Sequence, residues 1–353
     1  MSSSRTRRLR SGRRGLGVAA ALGAVAVGVV AVGGTAGAGS AFAGPVAPTP
    51  AARTTSALQA DVDRAMAVAR REGVTVSIAV VDRATGAQGQ SANAHTGFLT
   101  ASVVKVMIAD DVLTQRDAGK LTLSPSDLAT MRLMITRSDD DAADHFWSIG
   151  GGDPIVTRIA RRYGLHDTRP PKDQWWDTTT SAADLVSLYS QIVSGTHTAP
   201  DVRDFIVGAM RGFQPTGTDG EHQTFGLPTA LANERIVGYK QGWMPLADGE
   251  WVHNSTAIVG GDNRYIVAMM AHQPAPKGEG PTVTALDRVA EALFPGGRIG
   301  TPAGARSGSP APVATEATAP LTTPASPKPA STQPAIPRPA AVRPTAVERL
   351  FES

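Results

Sequence analysis

The sequence predicts an α+β domain, with an antiparallel sheet of about five strands, a helix at each end flanking the sheet, and an all-helical subdomain inserted between its strands. Three patterns indicate this architecture. Amphipathic helical patterns open and close the central region, alternating β-branched segments form an early and a late group, and a long helical stretch separates the two groups. A cleft between the sheet and the helical insertion is then the natural place for a functional site.

The first elements are a helix and a hairpin. The segment SALQADVDRAMAVARREG carries apolar residues at helical spacing, namely Leu58, Val62, Met66 and Ala69. We expect Ser56 to cap the start of this helix and Gly73 to end it. The next segment, VTVSIAVVD, is β-branched and alternating, and the turn signal RATG after it predicts a second strand near residues 87–91.

The middle of the chain is helical and the late part returns to strands. A nearly all-apolar helix begins at Ser102, which indicates burial on most of its faces. From about Ser124 to Ser194 the pattern stays helical, interrupted by glycines at 150–152 and prolines at 170–171. Three strands follow, RIVGYKQGW, EWVHNSTAIVGG and RYIVAMMAH, and GGDN joins the last two as a hairpin. The closing helix, PTVTALDRVAEALF, has one apolar face formed by Val283, Leu286, Val289 and Leu293.

The two ends differ in composition from the middle. Residues 1–43 combine an arginine-rich start, an Ala/Gly/Val run and the small-residue site SAFAG, which predicts a signal peptide cleaved after Ala43. An uncleaved membrane anchor is the alternative. We expect a linker over 44–55, the folded domain over 56–296 and a disordered Pro/Ala/Thr-rich tail over 297–353. The protein is therefore expected outside the cytoplasmic membrane, secreted or in the cell envelope.

Composition excludes several classes of function. The formal net charge of +3 comes largely from the termini, and no basic patch alternates with aromatic residues, so we expect no nucleic-acid partner. The sequence has no cysteine, which excludes disulfides, thiolate zinc sites and a cysteine-linked lipid. The histidines form no metal-binding signature; among them are His145, His166, His222 and His272. We expect no cofactor.

Ser102 and Lys105 are the first chemistry-bearing pair. At positions i and i+3 of a helix their side chains share one face, and a hydroxyl at a helix start favours developing negative charge. A lysine in a dry pocket has a lowered pKa and can take the serine proton. The alternative is a lysine whose ammonium reaches water from a buried helix.

The second motif is Ser138-Asp139-Asp140, on a turn between two helical stretches. Ser138 can relay a proton to a leaving group, and Asp139 can anchor the turn by accepting backbone N–H groups. The simplest alternative is a helix N-cap. A cation site built from four carboxylates is a further, less favoured alternative; they are Asp139, Asp140, Asp141 and Asp144.

The third motif, Lys240-Gln241-Gly242-Trp243, lies on the strand before the last hairpin. Lys240 can hold a substrate carboxylate, and Gly242 lets a substrate backbone approach the strand edge. The N–H of Trp243 can form an oxyanion hole together with the N–H of Ser102. A lysine and a glycine on an edge strand are the structural alternative.

Taken together, these motifs resemble the class A β-lactamases and penicillin-binding proteins, whose signatures are S-x-x-K, S-D-N and K-T-G. The resemblance covers about Ser56 to Pro295, and DTTTSAADLVSLYSQIVSG is similar to the segment that ends the family's omega loop. It implies a β-lactamase/transpeptidase-like fold. It also implies roles: Ser102 is the acylated nucleophile, Lys105 its activator, Ser138 the relay, Lys240 the carboxylate ligand and Trp243 a donor to the oxyanion.

The sequence departs from the family in the omega loop. The stretch HDTRPPKDQWWD is short and has no glutamate, whereas in class A β-lactamases this loop carries the glutamate that activates the deacylating water. Asp177 matches the position that closes the loop by an ion pair. Without a base, we expect slow hydrolysis of an acyl-serine, since a positioned base contributes about 10²–10⁴-fold. Trp175 and Trp176 in this loop are either a carbohydrate or peptide platform or, more simply, packing residues.

Two substitutions in the motifs also bear on binding. Asp140 replaces the asparagine of S-D-N, and an ionised carboxylate can only accept hydrogen bonds; it could pair with Lys105 and raise the pKa of that lysine. Gln241 replaces the hydroxyl residue of K-T-G, and its bulkier amide can still donate to a carboxylate. We assign Asp140, Gln241, Gly242 and Trp243 to substrate binding.

The sequence leaves two hypotheses for function. The first is an exported serine hydrolase that forms an acyl-serine with β-lactams or D-alanyl cell-wall peptides. The second is a non-catalytic or very slow relative that binds wall peptide or an envelope partner. The complete Ser/Lys set favours the first hypothesis. We expect a monomer that contacts the membrane only through its N-terminal segment.

Overall fold

The computed structural model describes residues 52–274 and 278–299. The predicted signal peptide, most of the predicted linker and nearly all of the predicted tail lie outside the described residues. None of the helices in the described ranges has both the length and the hydropathy needed to cross a membrane.

The sheet has the predicted five antiparallel strands, in the order β2-β1-β7-β6-β5. Its strands are β1 (Thr75–Asp82), β2 (Ala87–Gln90), β5 (Val237–Pro245), β6 (Glu250–Val259) and β7 (Tyr265–Pro274). A small second sheet pairs β3 (Phe98–Leu99) with β4 (Thr179–Thr180). The sequence does not predict this small sheet, because two-residue strands are too short to show a periodicity.

The helices include the two predicted helices that flank the sheet, and the helical insertion is longer than predicted. In chain order they are α1 (Thr55–Glu72), α2 (Lys105–Asp117), α3 (Pro125–Thr136), α4 (Asp140–Gly150), α5 (Pro154–Tyr163), α6 (Ala182–Ser194), α7 (Pro200–Arg211), α8 (Leu227–Ala230) and α9 (Glu279–Leu293). The predicted helical stretch ended near Ser194, but α7 extends it. Pro200 stands at the first turn of α7, where a proline has no backbone hydrogen bond to lose.

The start of α1 corrects one prediction. Thr54, with extended backbone angles of φ −90° and ψ 159°, accepts from the N–H of Ala57 and is the N-cap, so Ser56 lies inside the first turn. The end is as predicted: Gly73 adopts φ 71°, a left-handed conformation that glycine enters at little cost.

The sheet is buried on both faces and separates two cores. On β7, Ile266, Ala268 and Met270 face the helical region. Their neighbours alternate to the other face, where α1 and α9 pack on the sheet. Each fully buried aliphatic side chain contributes about 1.5–3 kcal/mol. This double burial explains why YIVAMMA is almost continuously apolar. The strand order makes β5 the edge strand nearest the helical region.

Candidate active site

A cleft of about 350 Å³ lies beside the edge strand β5. Two short 3₁₀ turns, Ala101–Val104 and Trp175–Asp177, reach it from the helical region. The residues that line it are Ala101, Ser102, Asp140, Trp175, Trp176, Glu221, Trp243, Met244, Pro245, Trp251 and Glu279. All three of the predicted catalytic and binding motifs open directly into this cleft, through Ser102, Asp140 and Trp243, and the lysines lie behind it.

Ser102 lies on the turn that runs directly into α2. The preceding residue, Ala101, has φ 44°, a left-handed conformation that costs a residue with a side chain about 1–3 kcal/mol. Ser102 is 8% exposed, and within the described part of the chain its hydroxyl makes no hydrogen bond. A strained backbone therefore holds an unpartnered hydroxyl at the wall of a cleft.

Lys105 follows one turn later and is completely buried. Its Nζ donates to the Ser138 carbonyl at 2.7 Å, lies 3.3 Å from the Ser138 Oγ, and contacts Asp140 Oδ1 at 2.5 Å. Burial lowers the pKa of Lys105, and the nearby Asp140 carboxylate acts against this by favouring the charged form. The structure thus confirms the buried lysine, and it also confirms the predicted pairing with Asp140.

Ser138 connects the two lysines. Its φ of 55° is again left-handed, and it is buried. Its Oγ accepts from Lys240 Nζ at 2.9 Å, and Lys240 also donates to the Gln241 carbonyl at 2.7 Å. Burial, followed by the charge of Lys105, lowers the pKa of Lys240 well below its usual range. A hydroxyl between two such amines can accept from one and pass its own proton on.

The aspartates after Ser138 have separate tasks. Asp139 caps α4 by accepting from the N–H of Ala142 at 2.8 Å. This confirms the alternative interpretation of the motif, a helix N-cap. Asp140 binds Lys105 while its side chain stays 64% exposed. Asp144 accepts from the indole N–H of Trp175 at 2.7 Å. Among the described residues no group of His, Cys, Asp and Glu side chains is arranged to hold a metal ion.

Gly242 brings β5 against the turn Ala101–Val104. A Cβ at this position would stand 2.7 Å from the Thr100 carbonyl oxygen and 3.0 Å from the Ser102 backbone nitrogen. From the sequence we expected a substrate backbone to occupy the space left by the missing side chain of Gly242. The structure corrects this, because the protein's own turn fills it. The proximity does bring Ser102 next to the strand that carries Trp243; the oxyanion hole from their N–H groups stays a prediction.

Gln241 does not reach the cleft, which corrects its assignment to substrate binding. Its side chain is fully buried beside Phe225 and Ser255. Its Nε2 donates to the Phe225 carbonyl at 2.6 Å, and its Oε1 accepts from the Ser255 hydroxyl at 3.0 Å. With its amide engaged there and its side chain absent from the cleft lining, Gln241 does not present a donor to a carboxylate in the cleft.

The turn Trp175–Asp177 occupies the side of the site that faces Lys105. Trp175 is buried, with its ring centroid 4.8 Å from Lys105 Nζ, and Trp176 packs on it edge-to-face. Trp176 is half-buried, so one ring is packed and the other covers the turn, as the simpler interpretation predicted. Asp177 forms no ion pair with any described residue; its carboxylate accepts from the N–H of Gln174, which corrects the expected loop closure.

Among the residues of the cleft that were missed from the sequence, three have acidic or aromatic side chains: Glu221, Trp251 and Glu279. Glu279 begins α9, and its Oε1 lies 3.2 Å from His253 Nε2. Burial, with the charge of Asp219, raises the pKa of Glu279. No local motif marks these positions, because a loop, a strand start and a helix start meet here only in the folded chain.

Comparison with known proteins agrees with this geometry. The model of the β-lactamase enzyme family matches residues 57–128 and 124–295. The chain is 42% identical over 229 residues to "Putative lipoprotein LppW" of Mycobacterium tuberculosis and of Mycobacterium bovis, an alignment that covers 64% of this chain and 72% of the relative.

Solved structures show the same fold. A β-lactamase from Chitinophaga pinensis superposes with a TM-score of 0.54 at 18% identity, covering 67% of this chain and 98% of that one. A β-lactamase from Xanthomonas campestris gives 0.54 at 19% identity, with 67% and 97% covered. An ancestral class A β-lactamase gives 0.53 at 19%, with 66% and 98% covered. The chain therefore belongs to the β-lactamase enzyme family.

Proposed function

We propose that this protein is an exported serine hydrolase that forms an acyl-enzyme on Ser102 with β-lactams or D-alanyl cell-wall peptides. The observation that carries the proposal is the pair of buried lysines joined through Ser138, directly behind an unpartnered serine hydroxyl in a cleft. A nucleophile with an amine of lowered pKa beside it is the minimal set for acyl transfer.

In this proposal the Ser102 oxygen attacks the substrate carbonyl carbon and loses its proton to the neutral amine of Lys105. The proton then passes through Ser138 to the leaving nitrogen as the amide bond breaks. Lys105 must leave Asp140 to act, because its hydrogen bonds in the resting site go to Ser138 and Asp140. Catalytic hydrogen bonds are often looser before substrate binds.

Breakdown of the acyl-enzyme is proposed to be slow. The turn that carries a glutamate in class A β-lactamases presents Trp175 to Lys105 instead. An indole cannot accept a proton from water, and a missing base costs about 10²–10⁴-fold. This supports a long-lived adduct rather than rapid turnover.

The second candidate function is a non-catalytic binding protein of the cell envelope. The ion pair between Lys105 and Asp140 favours it, because a lysine held as an ammonium ion cannot accept the serine proton. An envelope location is proposed for both candidates, since the relative LppW is named a lipoprotein. We also propose that the protein acts as a monomer and without nucleic acid.

The test is the intact mass of the protein, followed over time with benzylpenicillin, for the wild type, Ser102→Ala and the exposed-serine control Ser194→Ala. We expect a persistent mass increase of one penicillin in the wild type and in the control, and none in Ser102→Ala. Loss of penicillin without an adduct would show efficient turnover. Neither adduct nor turnover would reject acyl-serine chemistry with β-lactams and favour the binding protein.

A further inference from the structure

We propose that the cleft in front of Ser102 recognises a substrate that carries a positively charged ammonium group, held by Glu221, Glu279 and the tryptophan faces around them. The inference rests on the proposed function, because the same substrate would acylate Ser102. It narrows the substrate class to peptide-like compounds with a free amine.

The charged side chains that line the cleft are all acidic. They are Asp140, Glu221 and Glu279, and within the described residues neither lysine nor arginine lines the cleft. Asp219, which is exposed, is close enough for its charge to act on Glu279 and on Lys105. This side of the cleft therefore presents a negative wall, which favours a positively charged group on the part of the ligand that lies against it.

The buried lysines do not cancel this charge. Lys240 has 1% of its surface exposed and donates inward, to Ser138 and to the Gln241 carbonyl. Lys105 is fully buried and its contact with Asp140 compensates that carboxylate alone.

Within the described residues, Glu221 and Glu279 are left without a cation. Glu221 is exposed and forms no ion pair there. Glu279 contacts His253, and burial lowers the pKa of His253 to about 4, so this imidazole is neutral near neutral pH. A ligand ammonium would supply the positive charge that the described residues do not.

Aromatic faces complete the recognition. Trp176, Trp243 and Trp251 are each half-buried and line the same cleft as the two glutamates. An ammonium over an indole face gains about 0.5–1 kcal/mol at an exposed site, and more where water is excluded. Carboxylates next to indole rings are therefore a suitable environment for an alkylammonium group.

An independent observation indicates that a ligand enters here. Ser102 is more than nine-tenths buried, its hydroxyl is without a hydrogen-bond partner in the described part of the chain, and it opens into this same cleft. Buried polar groups are normally hydrogen-bonded. The polar group of a substrate would supply the missing partner and would place the rest of that substrate against the acidic wall.

The experiment compares two tripeptides that differ by one charge, Nα-acetyl-L-Lys-D-Ala-D-Ala and its Nα,Nε-diacetyl form. Binding is measured by isothermal titration calorimetry to full-length Ser102→Ala, which cannot turn the peptides over. We expect the ammonium peptide to bind about five- to tenfold more tightly, and we expect salt to reduce the preference. The double variant Glu221→Gln/Glu279→Gln in the same background should lose the preference.

Glu291→Gln, an exposed change on the same helix as Glu279, is the matched control and should keep the preference. Equal or weaker binding of the ammonium peptide, no binding of either peptide, or a preference that survives the double variant would each overturn the inference. A penicillin adduct in that situation would leave the proposed hydrolase intact. A preference that disappears in the double variant, with neither an adduct nor turnover of penicillin in the wild type, would reject the hydrolase and keep the cation-binding cleft.

Discussion

Two regions of the domain bury charged side chains, and they compensate the buried charge differently. In the helical region, Asp110 and Asp111 on α2 are completely buried, and arginines of α5 face them. Arg158 contacts Asp111 at 2.6 Å, and Arg162 contacts Asp110 at 3.0 Å. Two carboxylates thus meet two guanidinium groups, which stay protonated at any working pH.

The site behind Ser102 has the opposite balance. Lys105 and Lys240 are both buried, and one exposed carboxylate, Asp140, contacts Lys105 alone. Burial is the main effect on both side chains, and it lowers the pKa of each lysine.

The difference shows what each cluster is for. Carboxylates matched by guanidinium groups tie α2 to α5, whereas the lysines behind Ser102 have few anions beside them, which suits the proton exchange proposed for them. Even in the balanced cluster burial is costly: it raises the pKa of Asp110 to about 6, and the Oδ1 of this carboxylate has no partner among the described residues.

The largest expected effect separates function from stability at Lys105. Lys105→Met removes the proposed base and should slow penicillin adduct formation by about 10²–10⁴-fold. The free energy of unfolding should change by no more than about 2 kcal/mol, because an apolar chain of similar size replaces a buried cation while the Ser138 carbonyl loses one donor. Adduct kinetics and urea unfolding measure the two quantities. An undiminished adduct rate would remove Lys105 from the mechanism.

The helical cluster should respond in the reverse way. Asp111→Ala leaves two guanidinium groups without their shared carboxylate and should lower the free energy of unfolding by about 3–5 kcal/mol. Asp204→Ala is the matched control, since the Asp204 carboxylate is 69% exposed and pairs only with its neighbour Arg203; it should cost less than about 1 kcal/mol. Urea unfolding of both variants gives the comparison. Equal losses of unfolding free energy in the two variants would mean that the buried cluster stabilises the fold no more than a surface ion pair.

The smallest expected effect concerns Asp140, the carboxylate that contacts Lys105. Asp140 acts to raise the pKa of Lys105, so Asp140→Asn should lower that pKa further. The lysine acts as a base when it is neutral, and the rate of adduct formation rises as pH rises through its pKa. The rising limb of the rate against pH should therefore move to lower pH. A limb that does not move, or moves to higher pH, would show that Asp140 does not control Lys105.

Much of the fold could be predicted because it is encoded locally. The alternation in VTVSIAVVD and the strand pattern of RYIVAMMAH predicted β1 and β7, and the apolar spacing of the terminal segments predicted α1 and α9. Strand order and register were not predicted, and four elements were missed: β3, β4, α7 and α8. The strand β3 is too short for any period, and α7 begins at a proline that also marks loops.

The candidate site was predictable only in part, for the same reason. Ser102, Lys105, Ser138 and Lys240 come from short motifs. The structure brings Lys105 and Lys240 together around Ser138 and places Ser102, three residues before Lys105, at the cleft. The environment of these residues comes from pairings across the sheet and the cleft. Gln241 points inward, where Phe225 and Ser255 form hydrogen bonds with its amide. No local sequence pattern predicts these contacts.

The sequence by itself determined which elements form and which residues carry the chemistry, because helical and strand periods and side-chain types are local properties. Tertiary structure decided the charges and the surroundings of those residues. It buried Lys105 and Lys240 beside a single carboxylate, pressed Trp175 against Lys105, and collected Glu221 and Glu279 at one wall. Burial and electrostatic interaction depend on distances between segments far apart in the chain, and only the folded molecule sets those distances.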